Sequence, residues 1–343
     1  MNLSKIKYLG IDIGGAHLKY VGLDNKGQIK IVKYLPYKIW VTKNDLKKNL
    51  KNLYKEVGNK KTICGITMSA ELCDIFKNRK EGIKELTKIC KTLKFQNFYY
   101  THKKNIFLKI PKANEIMSMN WHAIGRICEK RIKNCIIVDF GSTTTDFICI
   151  KDFKFINKHY TDFSRINNDE LIYTGVTRTP LFSLASSINI NKKIYKLIPE
   201  FFSETADIYR IKKILYNLID LDETRDGRGK SMNESKMRVS RNFGFDYDSS
   251  KSLIIKKICN ELCEIQLSRI KKNITRLKSK FNLPKNTVIA LSGIGQDILL
   301  KHLLHKKVKA IKLIEILKIK EVNKATFHAP ALSIALLLSK VFD

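Results

Sequence analysis

Apolar residues along this chain are concentrated in short β-branched runs that end in small residues, and two of these runs share one plan. We call residues 8–19 hairpin 1 and residues 136–147 hairpin 2. In each, an apolar run carries one aspartate, Asp12 or Asp139, and ends at a turn of small residues. A second apolar-rich run starts two to four residues later, which is the pattern of a β-hairpin. The sequence therefore predicts two hairpins of the same design.

Further strands and helices are predicted between and after the hairpins. Apolar residues at helical spacing alternate along the chain with short buried runs, which indicates an α/β fold. The predicted strands lie within 6–33, in 61–69, 97–101, 136–150, 160–166 and 170–173, from 288 into a Gly-rich turn at 292–297, and in 308–311. The predicted helices are 44–57, 80–93, 113–133, 201–218, 253–280 and 329–342.

The turns carry residues that suit phosphate. Glycine lets the backbone approach a ligand closely, and successive N–H groups of a tight turn bind anions. An aspartate at the end of a strand beside such a turn can hold a divalent cation, so Mg²⁺ is the expected metal, with Asp12 and Asp139 as its ligands. The candidate catalytic residues are Asp12, Asp139 and Asp146, and the candidate phosphate-binding residues are Gly14, Gly15, Lys19, Gly141, Ser142, Thr143, Thr144, Gly293 and Gly295.

The amino-acid composition indicates which kinds of molecule the protein is expected to bind. The formal net charge is +33, which usually suggests nucleic acid. Here the lysines are dispersed over the whole chain, and no nucleic-acid-binding motif accompanies them, so we expect anionic small molecules as partners rather than nucleic acid. The eight cysteines form no Cys-x-x-Cys pair, which predicts buried thiols in a cytoplasmic protein and not a zinc site.

No membrane segment is expected. The first ten residues contain no apolar signal core. The longest apolar run, 329–341, is interrupted by serine and is predicted to be too short to span a bilayer.

Three other stretches contain candidate substrate residues. The polar, glycine-bearing segment 220–241 has no apparent core pattern and is long for a connection, which is typical of a lid. Arg178 lies in a turn of small polar residues at 174–180, and Glu71 follows the strand 61–69. A glutamate at that position is either a helix N-terminal charge or a site residue. Asp207 and Arg210 are spaced as a surface pair on a helix.

Six motifs distributed over nearly the whole chain resemble a hydantoinase/oxoprolinase-like family within the superfamily of actin, sugar kinases and chaperone ATPases. They are residues 10–19, 69–72, 138–146, 173–180, 205–210 and 226–231. The resemblance implies an actin-like ATPase or sugar-kinase fold, in which two related subdomains enclose a cleft between the aspartate hairpins. The expected subdomains are residues 1–134, onto which the C-terminal helix 325–343 packs, and residues 135–324, which contain the lid 220–241 and the turn 292–297.

The resemblance also implies a reaction. Related proteins belong to tetrahydromethanopterin-linked one-carbon metabolism, and the implied activity is the methanofuran-biosynthesis step that joins an (aminomethyl)furanmethyl diphosphate to the phenol of γ-glutamyltyramine or a tyrosine analogue. The reaction forms an ether and releases diphosphate, and ATP is not required. A carboxylate must accept the phenol proton, and the sequence leaves Asp146, Asp207 and Asp226 as equal candidates. The expected substrate-binding residues are Glu71, Arg178, Asp207, Asp226, Arg228 and Lys230.

Two alternatives remain open at this stage. One is an ATP-dependent kinase or amidohydrolase of the same fold, which the phosphate hairpins permit. The other is a nucleotide-binding module without catalytic activity, against which the clustered charges of segment 220–241 argue. The oligomeric state is not indicated by the sequence.

Overall fold

The computed structural model describes residues 6–57 and 60–342. The chain divides into two compact units. The first contains residues up to Ile137, residues 148–165 and residues from Lys312 onward, and the second contains residues 138–147 and 166–311. Residues 135–137, 148–165 and 312–324, which the sequence placed in the second subdomain, thus belong to the first unit.

Strands and helices alternate along the described residues, which confirms the predicted α/β class. The strands are β1 (Tyr8–Ile13), β2 (His17–Leu23), β3 (Ile29–Pro36), β4 (Ile63–Met68), β5 (Gln96–Tyr100), β6 (Phe107–Leu108), β7 (Cys135–Phe140), β8 (Thr145–Lys151), β9 (Lys154–Phe155), β10 (Leu171–Ile172), β11 (Ser187–Ile190), β12 (Lys193–Lys196), β13 (Val288–Ser292) and β14 (Ala310–Lys312). The helices are α1 (Asn44–Val57), α2 (Arg79–Cys90), α3 (Ala113–Ile116), α4 (Asn120–Cys128), α5 (Asp162–Ile166), α6 (Thr205–Ile211), α7 (Met232–Arg241), α8 (Ser252–Lys280), α9 (Gln296–His305), α10 (Leu313–Leu317) and α11 (Ala329–Phe342).

The first unit is built on a mixed sheet with the strand order β3-β2-β1-β4-β5-β6. Strands β1 and β2 are antiparallel, as predicted for hairpin 1, and β1 is parallel to β4 on its other side. Helix α11 packs on this sheet so closely that a Cβ on Gly10 would lie 2.1 Å from the carbonyl oxygen of Ala331. Only glycine fits at position 10 for this reason.

Helix α11 and the turn before it, Ala325–Phe342, are long and apolar enough to cross a membrane by length and composition. The estimate from the sequence covered only residues 329–341, and the segment is longer because it includes the turn at 325–328. Of this segment, 78% is buried inside the protein, against β1, β2, β4 and α4. Its apolar character is accounted for by this position in the core of the first unit.

The second unit contains most of a sheet with the order β10-β8-β7-β13-β14. Hairpin 2 supplies β7 and β8, and the strand that precedes the Gly-rich turn, β13, pairs with β7. The long helix α8 buries one apolar stripe, which includes Ile258, Leu262 and Ile270, against α6, α7 and β11.

Three predicted elements were wrong in type or length. Residues 162–166 are helical and not a strand, because Thr161 Oγ1 accepts a hydrogen bond from the Ser164 N–H and starts a helix. The predicted helix 113–133 is broken at Ser118, whose φ of 49° is left-handed. The predicted helix 201–218 ends at Ile211, and Lys213, with φ 56°, adopts the left-handed conformation just beyond it.

Only the first half of the polar segment 220–241 is a loop. Residues Met232–Arg241 form α7, which begins at a capping box in which the Ser231 hydroxyl and the Glu234 carboxylate each accept a hydrogen bond from the other residue's N–H. The inference that this segment has no core pattern was also wrong, since Arg238 is fully buried. The Ser-x-x-Glu spacing at 231–234 is a helix-start signal that could have been found in the sequence.

Candidate functional site

Hairpin 1 places a buried carboxylate opposite a lysine. Asp12 and Lys19 are cross-strand partners of β1 and β2, and Lys19 Nζ lies 3.1 Å from Asp12 Oδ2. Asp12 is fully buried, and its Oδ1 has no hydrogen-bond partner among the described residues. A buried, unsatisfied carboxylate oxygen is costly unless a ligand satisfies it. The pair therefore offers one oxygen and one ammonium group to a ligand.

The turn of hairpin 1 is held by neighbouring backbone and one buried phenol. The Tyr37 hydroxyl donates a hydrogen bond to the carbonyl oxygen of Gly14. Burial, and after it the charge of Asp12, raises the pKa of Tyr37 well above its ordinary value, so this hydroxyl stays a donor. A Cβ on Gly15 would lie 2.6 Å from Cys73 Sγ. The turn is thus fixed tightly, as a preorganised anion cradle requires.

Glu71 lies beside this turn in the first unit, in the 3₁₀ turn Ala70–Leu72. Only 1% of Glu71 is exposed. Its Oε1 accepts a hydrogen bond of 2.7 Å from the Ser118 hydroxyl, and its Oε2 has no partner in the described part of the chain. Burial raises the pKa of Glu71 to about 7, against the opposing effect of the Ser118 hydrogen bond. Such a carboxyl can exchange a proton near neutral pH.

Hairpin 2 is joined to the Gly-rich turn in the second unit. The Ser292 hydroxyl donates a hydrogen bond of 2.7 Å to Asp139 Oδ1. The Gly295 N–H donates to the carbonyl oxygen of Phe140 at 2.9 Å. A Cβ on Gly293, whose φ is 81°, would lie 2.9 Å from Asp139 Oδ1. These contacts bring Asp139, Gly293 and Gly295 together in the second unit.

The turn of hairpin 2 is braced by the motif at 174–180. The carbonyl oxygen of Ser142 accepts hydrogen bonds from the N–H groups of Thr177 and Arg178, at 3.1 and 3.0 Å. A Cβ on Gly175 would lie 2.4 Å from the Thr143 nitrogen. Behind it, the Gly175 carbonyl oxygen accepts hydrogen bonds from a buried polar network, which consists of Thr179, Thr205 and Gln266.

The three candidate bases lie in different surroundings. Asp146 is in β8, where it is paired with Leu171, and is 8% exposed. Asp207 Oδ1 lies 2.9 Å from nitrogen atoms of both Arg210 and Arg238. The Asp207–Arg210 pair exists as the spacing indicated, but it is buried and not on the surface.

Asp226 also belongs to this ion-pair cluster. Its two oxygens lie 3.0 Å from Arg238 and 3.4 Å from Arg241. Although partial burial acts against it, hydrogen bonds from its own neighbourhood and the charge of Arg238 hold the pKa of Asp226 below its ordinary value. The cluster gives Asp207 and Asp226 structural partners in addition to the substrate role proposed for them.

The cationic candidates differ in exposure. Lys230 Nζ donates to the carbonyl oxygen of Asp220, and its pocket of about 500 Å³ is also lined by Arg210 and Lys213. The side chain of Arg228 is exposed, while its N–H donates to Asp226 Oδ1 at 3.2 Å. Arg178 is partly buried beside hairpin 2.

Glu204, which the sequence did not single out, lies near Arg178 in the second unit. Burial, with smaller contributions from Asp222 and Asp207, raises the pKa of Glu204 to about 7, while Arg178 and Arg225 act against the shift. Three other residues that contact the candidates were missed: Tyr37, Ser118 and Arg238. Their contacts are with residues distant in sequence, so no local pattern marks them.

The carboxylates suit a metal that keeps most of its water. Among residues 6–57 and 60–342, no group of three or more His, Cys, Asp or Glu is placed to hold a metal ion. Mg²⁺ is commonly bound through one or two carboxylates together with substrate phosphates, and the unsatisfied Oδ1 of Asp12 fits that mode of binding. All eight cysteines are free thiols, and seven of them are buried.

A family model described as hydantoinase/oxoprolinase matches residues 64–340, which is most of the chain. The chain belongs to the hydantoinase/oxoprolinase family. The match includes hairpin 2, the 174–180 motif and the Gly-rich turn, whose contacts are described above. Hairpin 1 lies before it.

Two relatives are similar to this chain in sequence. A protein of Methanocaldococcus jannaschii is 33% identical over 99% of this chain and 99% of its own length. A protein of Methanococcus vannielii is 35% identical over 60% of this chain and 91% of its own length. Both are named (4-{4-[2-(gamma-L-glutamylamino)ethyl]phenoxymethyl}furan-2-yl)methanamine synthase.

Solved structures also align with this member of the hydantoinase/oxoprolinase family. A ROK family glucokinase from Streptomyces griseus, in complex with glucose and AMPPNP, aligns with 96% of this chain and 98% of its own, at 10% identity and a TM-score of 0.49.

Proposed function

We propose that this protein is the ether-forming synthase of methanofuran biosynthesis. The observation that carries the proposal is the 33% identity to the Methanocaldococcus jannaschii synthase over 99% of both chains. The product in that protein's name contains a phenoxymethylfuran, so the bond to be made joins a phenol oxygen to a furanmethyl carbon. The proposed substrates are an (aminomethyl)furanmethyl diphosphate and γ-glutamyltyramine or a tyrosine analogue.

The furanmethyl diphosphate is suited to this bond. Its C–O bond to diphosphate can ionise because the furan ring delocalises the developing positive charge. The phenol oxygen then forms the new C–O bond, the phenol proton leaves, and the electron pair of the broken bond departs with diphosphate. The reaction needs no ATP.

The two hairpins supply what the departing diphosphate requires, which is preorganised positive potential. Lys19 and the backbone N–H groups of both turns stabilise the charge that develops on the leaving oxygen, and one positioned donor of this kind contributes about 3 kcal/mol. The hydroxyl groups of Ser142, Thr143 and Thr144 add further donors. Arg178, Arg228 and Lys230 bind diphosphate or the glutamyl carboxylate through charge-assisted hydrogen bonds.

Asp12 and Asp139 would hold Mg²⁺, either directly or through water. When bound, the ion neutralises charge on the diphosphate and so makes it a better leaving group. Lys19 balances the Asp12 carboxylate from one side, at 3.1 Å, and the Ser292 hydroxyl orients that of Asp139, at 2.7 Å. These two contacts fix the orientation of each carboxylate group.

The experiment that tests the proposal is direct. Purified protein is incubated with the furanmethyl diphosphate, γ-glutamyltyramine and Mg²⁺, and the ether is sought by mass spectrometry while free diphosphate is quantified in parallel. Equal amounts of ether and diphosphate are expected. Ether formation that depends on ATP, or ATP turnover without ether, would instead favour a kinase or amidohydrolase of the same fold.

In this proposal, the net charge of +33 attracts anionic substrates. The protein acts in the cytoplasm and has no nucleic-acid partner. Diphosphate capture should weaken with salt, because screening reduces the attraction between exposed charges. A gel-shift titration at physiological salt should show no saturable binding of duplex or single-stranded nucleic acid, and tight binding would contradict this part of the proposal.

A further inference from the structure

Glu71 has surroundings that a structural carboxylate does not require. It is 1% exposed, and one of its two oxygens, Oε2, has no hydrogen-bond partner in the described part of the chain. An unsatisfied buried carboxylate oxygen destabilises a fold, and such groups persist mainly where they have a function. In the first unit, the segment that contains Glu71 adjoins the turn that we propose binds diphosphate.

The segment around Glu71 is fixed to that turn at both ends. On one side, the Ser69 N–H donates a hydrogen bond of 3.0 Å to the carbonyl oxygen of Ile13. On the other, Cys73 Sγ lies against Gly15, at 2.6 Å from where a Cβ would be. The Glu71 backbone therefore cannot shift independently of hairpin 1.

The partner of the other oxygen is held in a strained conformation. Ser118 donates to Glu71 Oε1 at 2.7 Å, and its φ of 49° lies in the left-handed region, which a residue other than glycine rarely adopts. The conformation breaks the chain between α3 and α4. Strain of this kind is retained where the surrounding structure requires a side chain at one place. Here it directs a hydroxyl at one oxygen, while Oε2 is buried without a hydrogen-bond partner among the described residues.

We propose that Glu71 is the proton acceptor for the phenol, positioned by Ser118, in the ether synthesis proposed above. The phenol proton passes to Glu71 Oε2 as the phenol oxygen forms its bond to the furanmethyl carbon, and the bond to diphosphate breaks with its electron pair on the leaving oxygen. The carboxylic acid then returns the proton to water. This role rests on the proposed function, and it takes precedence over Asp207 and Asp226, whose carboxylates are held by arginines.

The ionisation of Glu71 supports this role. Burial raises its pKa to about 7, while the Ser118 hydrogen bonds and the charge of Arg79, at the start of the adjoining helix α2, act in the opposite direction. The Ser118 hydroxyl faces Glu71 from the link before α4, and Gly82 of α2 packs against the Glu71 backbone and Cβ. A base with a pKa near the working pH is best matched to abstracting a proton.

The test compares Glu71→Gln with wild type over pH, at saturating diphosphate substrate. The wild-type rate should rise with pH through about 7, as the carboxylate forms. Glu71→Gln should lose about 10²–10⁴-fold in rate and should lack that rise. A ring-fluorinated γ-glutamyltyramine, whose phenol is more acidic, should recover much of the loss in Glu71→Gln, because less help is needed to remove its proton.

Two further variants separate this role from a structural one. Ser118→Ala should move the rise in rate to higher pH, because a hydrogen bond that stabilises the carboxylate is lost. Glu204→Gln is the matched control: it removes another carboxyl whose pKa is raised to about 7, and it should leave the rise in place. A rise that disappears in Glu204→Gln and persists in Glu71→Gln would overturn the proposal.

The outcomes also distinguish this role from the proposed function. If wild type forms the ether and Glu71→Gln keeps its pH profile and a rate within about threefold, the function stands and the role of Glu71 is wrong. If the loss in Glu71→Gln is the same with the fluorinated phenol, Glu71 does not accept the phenol proton. If wild type forms no ether under any condition, the proposed function and this role are both wrong.

Discussion

Asp139 and Ser292 are 153 residues apart in the sequence, and yet the Ser292 hydroxyl donates a hydrogen bond of 2.7 Å to the Asp139 carboxylate. The contact joins the end of β7 to the end of β13, which are neighbours in one sheet. It fixes which way Oδ1 points, so that Asp139 has one oriented oxygen. An oriented carboxylate at the end of a strand is what a metal or water ligand requires.

We therefore expect Asp139→Asn to reduce turnover far more than stability. A neutral amide is a poor substitute for a carboxylate that holds Mg²⁺ directly or through water. The rate at saturating Mg²⁺ and the thermal midpoint should be measured on the same preparation. A rate within about tenfold of wild type, equivalent to about 1.4 kcal/mol, would count against a metal role. Ser292→Ala is the matched control, and it should retain Mg²⁺ dependence with a smaller loss of rate.

Gly175→Ala should disturb the turn of hairpin 2, which we propose binds diphosphate. The added Cβ would lie 2.2 Å from the Ser142 oxygen and 2.4 Å from the Thr143 nitrogen, both of them backbone atoms of the hairpin 2 turn. Since backbone cannot give way as a flexible side chain does, we expect about 1–3 kcal/mol of destabilisation and weaker diphosphate binding by calorimetry.

Gly27→Ala is the control for that variant. Gly27 has a φ of 71°, and nothing lies within 4 Å of its Cβ position. It should lose about 1 kcal/mol of stability from backbone strain alone, with diphosphate affinity unchanged. Equal diphosphate affinity in both variants would show that the 174–180 motif does not shape the turn.

Hairpin 1 and the Gly-rich turn were predictable because their signals are local. Asp12, Gly14 and Lys19 lie within one strand–turn–strand pattern, and the antiparallel pairing follows from it. The partners of Asp226 were not predictable in this way. Its ion pair with Arg238 depends on a helix that was taken for part of a loop.

The same limit applies to Glu71. Its position at the end of a buried strand was visible in the sequence, but the Ser118 hydroxyl that holds it comes from 47 residues later. The missed break at Ser118 illustrates how tertiary packing can override helical propensity.

The buried ion pairs lead to a prediction about stability. Arg238 is fully buried and pairs with both Asp207 and Asp226. Arg238→Met should cost about 3–5 kcal/mol, because it leaves buried carboxylates without one of their cations. Arg241→Met removes a longer, 3.4 Å pair from a side chain that is 36% exposed, and should cost at most about 1 kcal/mol. Urea midpoints at unchanged m value would test this, and similar losses in both variants would contradict it.

Stability should also depend on the ionisation of Glu71. Its pKa is about 7 in the folded protein, against an ordinary value of 4.5, so the folded state binds more protons between these values and stability falls as pH rises through them. Glu71→Gln should lack this fall. At pH about 8 it should be more stable than wild type by up to about 3 kcal/mol, and at pH about 4 the two should be similar. Urea unfolding at both values provides the measurement, and parallel pH profiles would show that the carboxyl is not buried in solution.

The polar loop 220–231 provides the last prediction. This loop is the first half of the segment 220–241, and in it Arg228 is exposed and the backbone reverses at Gly227, whose φ is 68°. Helix α7 anchors the end of this loop through Arg238, whose Nη1 donates to the carbonyl oxygen of Gly229 at 3.1 Å. We expect the loop to close over bound diphosphate while this anchor stays in place.

Closure would exclude water, which otherwise captures a furanmethyl cation in competition with the phenol. Arg228→Ala should therefore slow ether formation and raise the share of furanmethyl alcohol among the products, with an unchanged thermal midpoint because the side chain is exposed. The product ratio by chromatography is the primary measurement, and protease protection of the loop with and without diphosphate is the second. Arg276→Ala, which removes an exposed arginine of α8 that pairs with Asp169 at 3.5 Å, is the control and should leave the ratio as in wild type. An unchanged ratio in Arg228→Ala together with no protection by diphosphate would make this segment an ordinary surface loop.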